Sequence, residues 1–218
     1  MSEHLQREIE SLKKEILTVA TLVEESLRDS VRAFLERDAT LAKKVIDGDA
    51  KIDEKEVEVE EECLKILALH QPVAVDLRYI VSVLKINNDL ERIGDLASNI
   101  AERAKFLSKR VPIEVPESIP EMSEIVQAML EEGLDALVKM DVSKADSVLE
   151  RDEEVDNLHA EIYPLVQSKI EADPDKISEW IQLLGVSRYL ERAADHTTNI
   201  AEDIIYMVEG KISRHTNA

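Results

Sequence analysis

Aromatic residues are scarce: Phe, Trp and Tyr together make 3% of the 218 residues. That scarcity argues against a β-sandwich core and against a nucleic-acid binder that stacks bases on aromatic rings. Cysteine occurs once, at Cys63, so no disulfide can close within the chain, which fits a reducing compartment. Only 5 glycines and 6 prolines are present, which leaves few places for turns. No apolar run reaches the ~18 residues that a bilayer-spanning helix needs. The opening MSEHLQREIE has no apolar stretch of the kind a secretion signal carries. These absences predict a soluble, cytoplasmic protein. Positive charge is also in short supply: 47 acidic residues face 27 basic ones, for a net charge of −20. Such a field repels nucleic acid and anionic lipid but admits cationic partners, metal ions included. The plainer explanation of the same charge is a set of solvated helix faces.

What is abundant is Leu, Ile, Ala, Glu and Lys, arranged with helical periodicity. Leu5, Ile9, Leu12, Ile16, Val19, Val23, Leu27, Val31 and Phe34 recur in steps of three and four, which predicts a helix over 4–36. Asp38 reads as the N-cap of a second helix that runs to about His70 and stops at Gln71-Pro72. A third helix is expected from Val75 to Lys109. KRVPIEVPESIPE, residues 109–121, holds Pro112, Pro116 and Pro120 and reads as an extended linker. Three more helices follow, the second of them capped by Asp141, with breaks at Ala172-Asp173-Pro174 and Gly210. Nothing alternates with period two. The fold class is therefore all-α, six long helices in two tandem repeated three-helix bundles, either separate or packed as one unit. The expected boundaries are 1–109 for the first bundle, 110–120 for the linker and 121–218 for the second.

The repeat is visible in the letters. LERIGDLASNIAE (Leu90–Glu102) returns as LERAADHTTNIAE (Leu190–Glu202), identical at eight of thirteen positions, among them Glu, Arg, Asp and Asn. Four acidic i,i+4 pairs stand at matched places: Asp49/Asp53, Glu91/Asp95, Asp152/Asp156 and Glu191/Asp195. Four residues turn a helix by about 400°, so each pair shares a face. The midpoint of Asp49/Asp53 lies 21 residues before Pro72, and that of Glu91/Asp95 lies 21 after it. Antiparallel helices folded at that corner bring both pairs to one height. In the second half the distances from Pro174 are 20 and 19 residues. On the third helix these acids sit opposite the apolar stripe, which predicts a surface groove rather than the core. Like charges at i,i+4 destabilise a helix by roughly 0.2–0.5 kcal/mol. Repeating that penalty at matched heights points to a compensating cation. Carboxylates alone make an oxygen-only site, suited to Mg²⁺, Mn²⁺, Ca²⁺ or iron. His159 and His196 lack histidine counterparts in the first half and read as exposed polar residues rather than ligands. No glycine-rich phosphate loop, paired Cys-x-x-Cys or doubled Glu-x-x-His appears.

Several segments together resemble the PhoU family of phosphate-uptake regulators. They are HQPVAVDLR (His70–Arg78), LERIGD, the second LERAAD, and VEGKISRH (Val208–His215). The resemblance spans essentially the whole chain and implies two repeated three-helix bundles. It further implies multinuclear metal clusters, iron or zinc with Mg or Mn as alternatives, on Asp49, Asp53, Glu91, Asp95, Asp152, Asp156, Glu191 and Asp195. Ala193-Ala194 depart from the family's Ile-Gly, which puts equal affinity of the two sites in doubt. The implied role is a negative regulator of phosphate uptake and of the phosphate-starvation response. It would act as a cytoplasmic adaptor between the phosphate-specific ABC transporter and a sensor histidine kinase, as a homodimer, without catalysis. Other readings of the acidic pairs are a metal-dependent hydrolase and a purely structural scaffold. The Gln71-Pro72 corner, with Asp76 and Arg78, reads as a partner contact or a capped turn.

Overall fold

The structure, a computed structural model, describes residues 3–211. Its helices are α1 (Glu3–Glu36), α2 (Ala39–His70), α3 (Ala74–Leu107), α4 (Ser118–Lys139), α5 (Val142–Ala172) and α6 (Ile177–Glu209). A single 3-10 turn, Pro174–Lys176, precedes α6, and no strand occurs among the described residues. The all-α fold of two three-helix repeats read from periodicity is the fold observed.

The caps follow local chemistry. Asp38 accepts from the amides of Thr40 and Leu41, and Asp141 does the same for Ser143 and Lys144. Each satisfies donors that the first helical turn leaves open. The residue before each cap, Arg37 or Met140, takes a left-handed backbone (φ 57° and 54°). The cap amides then bond back to equivalent alanine carbonyls, Asp38 to Ala33 and Asp141 to Ala136. The α1–α2 and α4–α5 corners are thus the same turn built twice. The linker is shorter than the sequence predicts. Pro120 is not extended but sits in the first turn of α4. A first-turn amide has no intrahelical acceptor, so proline removes nothing there. α5 also passes through Pro164 without ending. Ile212–His215, the end of the VEGKISRH segment, lie outside the described residues.

Each repeat buries one apolar stripe per helix. Leu12, Ile16, Val23 and Leu27 of α1 meet Ile52, Val59 and Ile66 of α2 and Ile80, Val83 and Leu90 of α3, all essentially inaccessible. Burying one such side chain contributes roughly 1.5–3 kcal/mol, so the stripes outweigh the charge repulsion on the outer faces. The lone Cys63 belongs to this core; burial pushes its thiol up to about 12, which keeps it protonated and unreactive.

The two repeats are held together mainly by α3 against α6, the most extensive interhelical contact in the molecule, with a smaller one between α1 and α4. Polar ties cross the α3–α6 seam. Lys85 Nζ lies 3.1 Å from Asp203 Oδ1, and Asp89 Oδ1 lies 2.8 Å from His196 Nδ1. Arg78 Nε donates to the Met207 carbonyl at 2.9 Å. Two sequence expectations are corrected here. His196 is not an exposed histidine but is half-buried against Asp89, and His159 is half-buried with Nδ1 2.6 Å from the Ser187 hydroxyl. Helix-period reasoning within one repeat cannot see a partner contributed by another helix. The Gln71-Pro72 corner is a capped turn, with the Gln71 amide bonded to the Leu67 carbonyl, and Arg78 beside it donates to the C-terminal carbonyls of α6, Met207 and Val208, across the seam.

Candidate metal centres

The antiparallel α2–α3 and α5–α6 hairpins bring the acidic pairs side by side, as equal distance from the corners requires. In the first repeat, Asp49 and Asp53 of α2 and Asp95 of α3 each place a carboxylate oxygen within 4.8 Å of the other two. No other such trio of His, Cys, Asp or Glu occurs among the described residues. Glu91 stands one turn from Asp95 and feels the charge of Asp95 and Asp53. Its Oε2 is buried without a hydrogen bond; Arg92 Nε is 3.3 Å away but out of alignment. In the second repeat, Asp152, Asp156, Glu191 and Asp195 feel one another's charge without closing to a comparable trio.

The electrostatics are alike in both repeats. Burial, then the charges of Asp53 and Asp95, push Asp49 up to about 6, with the Ser98 hydroxyl pulling the other way. Burial, then Asp156, Asp195 and Glu191, push Asp152 up to about 6. Glu91 and Glu191 are raised, first by burial and next by the aspartate one turn on. Asp195 is raised by burial and Asp156, against the pull of His196 and Arg192. Asp49 Oδ1 and Asp152 Oδ1 are both buried with no hydrogen-bond partner. A buried anionic oxygen without a donor is costly, so two of them at equivalent positions mark places where something positive belongs. The donors are carboxylate oxygens alone. Cys63 is in the core, and both nearby histidines are engaged elsewhere. That set fits hard or borderline cations such as Mg²⁺, Mn²⁺ or iron better than zinc, which prefers nitrogen and sulfur.

Packing behind the clusters explains why the copies differ at Gly94. A Cβ placed on Gly94 would meet Ile52 Cδ1 at 3.2 Å and Cγ2 at 3.3 Å, with Asp49 Oδ1 at 3.9 Å. In the second repeat the corresponding residues are Ala194 and Val155. One methyl has moved across the helix pair, Gly and Ile becoming Ala and Val, at constant volume. Gly94→Ala alone is expected to destabilise by about 1 kcal/mol: overpacking outweighs the helix-propensity gain. Adding Ile52→Val should recover about 1 kcal/mol in thermal unfolding. Strictly additive losses would show that the two residues do not share this space.

A duplicated, all-helical, acidic protein with a carboxylate cleft between two helices of each copy is the class these features define. The chain belongs to the PhoU family: the PhoU domain profile matches residues 16–104 and again 119–204. It is 38% identical over 216 residues to the phosphate-specific transport system accessory protein PhoU homolog of Caulobacter vibrioides, covering 97% of this chain and 94% of that one. Against the homolog of the same name from Aquifex aeolicus it is 39% identical over 209 residues, 96% of this chain and 95% of that one. The crystal structure of PhoU from Pseudomonas aeruginosa superposes with a TM-score of 0.90 at 37% identity, covering 94% of this chain and 99% of that one. The phosphate transport system regulatory protein PhoU from Streptococcus pneumoniae gives 0.85 at 30%, covering 95% and 98%.

Proposed function

We propose that this protein is a metal-binding negative regulator of phosphate uptake and of the phosphate-starvation response. The coarse role rests on family membership. PhoU proteins are accessory and regulatory proteins of phosphate transport, not enzymes, and this chain is an accessory protein of that kind. The hydrolase alternative is set aside on that ground. Beyond it, the protein is read as a cytoplasmic adaptor, acting as a homodimer between the phosphate ABC transporter and a sensor histidine kinase. Among the described residues, no helix is long and apolar enough to cross a membrane, which suits docking through protein partners.

The observation that carries the metal reading is the pair of buried, donor-less oxygens at Asp49 and Asp152. Asp49, Asp53 and Asp95, with Glu91 beside them, would hold cations in the first repeat; Asp152, Asp156, Glu191 and Asp195 would do so in the second. Bound cations would supply positive charge that bridges the two helices of each hairpin. The chain's own residues set the geometry: α2 and α3 carry the acids to one level, and Gly94 lets the helices close behind them. Protein purified without chelator is expected to contain iron or another first-row metal by elemental analysis. Asp95→Asn should lose the ions of the first repeat and keep those of the second. Metal-free protein under every loading condition would end this reading. The regulatory role is tested separately: deleting the gene should raise phosphate uptake and alkaline phosphatase expression at high phosphate, and unchanged levels of both would overturn it.

A further inference from the structure

The α3–α6 seam is built twice about the repeat axis, and its two ends differ in charge. At one end Lys85 of α3 faces Asp203 of α6 at 3.1 Å, an ion pair in which the aspartate is 1% exposed. One hundred residues on, the equivalent of Lys85 is Gly185, and the equivalent of Asp203 is Arg103. These two also face each other: a Cβ on Gly185 would lie 3.7 Å from Arg103 Nε. Lysine has become glycine, which opens space. Aspartate has become arginine, which reverses the charge. The next seam position changes in the same sense, from Asp89, which holds His196, to Tyr189.

The result is a cleft of about 530 Å³ lined by Arg103, Arg188 and Arg192. Among the described residues none of these three has a carboxylate within ion-pair distance, although acids outnumber bases 47 to 27 in the chain. Other arginines find acceptors: Arg92 has Glu91 and Asp95, Arg151 has Glu132, and Arg78 caps α6. Arg103 is oriented instead by the Tyr189 hydroxyl, to which it donates at 3.0 Å while lying 5.7 Å over the ring. That hydroxyl still has its own proton to donate. Gln182 also lines the cleft, its side-chain oxygen buried and without a hydrogen bond.

We propose that this cleft binds a phosphoryl oxyanion. Guanidinium forks match phosphoryl oxygens bidentately; Arg103 is held by Tyr189, and the exposed Arg188 and Arg192 make no ion pair among the described residues that would occupy their forks. Three of them suit an anion with more than one negative charge, and the local site overcomes a repulsive global field only through direct contacts. The site borders the second carboxylate cluster, whose Glu191 feels Arg188 and Arg192, but unlike that cluster it needs no bound cation to hold an anion. The test therefore uses the full chain stripped of metal, titrated calorimetrically with orthophosphate, diphosphate, ADP and sulfate. Diphosphate is expected to bind at one site per chain, tighter than sulfate. The remaining two arms tell a free phosphate site from a nucleotide site. Arg103→Gln and Arg188→Gln should each weaken binding about tenfold or more. Arg28→Gln, an exposed α1 position with the same charge change, should leave it within about twofold. Both Arg188 and Arg28 are exposed, so those variants keep the fold. No binding of any phosphoryl compound at millimolar concentration overturns the proposal. So do equal affinity for sulfate, binding that survives both cleft variants, and equal loss in Arg28→Gln.

Discussion

Replacing Asp49 and Asp152 together by asparagine is expected to raise the melting temperature of the metal-free protein at pH 7 by about 4–8 °C. Each carboxylate is raised to about 6, by burial before any neighbouring charge. The folded state therefore holds these protons more tightly than the unfolded chain, whose aspartates titrate near ~3.9. The stabilisation this brings is fully present below about 4 and is lost as pH rises through about 6. At pH 7 both groups are charged, partly buried and beside like charges. Removing each charge should return about 1 kcal/mol, the burial-driven shift discounted for partial exposure, and for a chain of this size 1 kcal/mol corresponds to ~2–4 °C. The wild type should accordingly melt higher at pH 5 than at pH 7 when metal-free, while the double variant should change much less. Added Mn²⁺ or Fe²⁺ should invert the order, stabilising the wild type by mass action and the variant hardly at all. Asp146→Asn with Glu10→Gln, both exposed positions, controls for net charge alone. If the control stabilises as much as the double variant, the clustered acids are merely solvated and the cation reading falls with them.

The second large effect concerns the closed end of the seam. Lys85→Met should lower stability by about 1–3 kcal/mol, because it removes a cation 3.1 Å from Asp203, which sits at 1% exposure. Lys85→Met combined with Asp203→Asn should recover part of the loss, since part of the penalty comes from the buried Asp203 charge rather than from the pair itself. Arg103→Gln at the equivalent open end should lose only about 1 kcal/mol, from its bond to the Tyr189 hydroxyl. Thermal unfolding of the four proteins distinguishes the two ends. Equal losses at Lys85 and Arg103 would mean that the charge difference between the ends has no energetic content.

These expectations show where the letters were sufficient. Apolar residues at steps of three and four specify helices because the side chains of a helix repeat every 3.6 residues, and nothing in tertiary structure has to be known to read that. Asp38 and Asp141 were legible as caps because an N-cap carboxylate satisfies amides two and three residues on in the same chain. Even the meeting of Asp49 and Asp53 with Asp95 was legible, since two antiparallel helices of equal rise bring residues equidistant from their corner to one height. Pro120 is ambiguous in the letters because proline disrupts a helix interior but not its first turn, and only the position of the first turn tells the two apart.

What the sequence by itself determined is thus whatever depends on spacing within one hairpin: the helices, their caps, the duplication and the level of the acids. The tertiary structure alone decided which carboxylate oxygens of the clusters are buried without a hydrogen bond, among them Oδ1 of Asp49 and of Asp152, and which groups lie across the α3–α6 seam, where His196 finds Asp89, Arg78 caps α6, and Arg103 faces Gly185. The physical reason is range. Helical periodicity is a property of neighbours along the chain, whereas desolvation and ion pairing depend on atoms some one hundred residues away that only packing brings near.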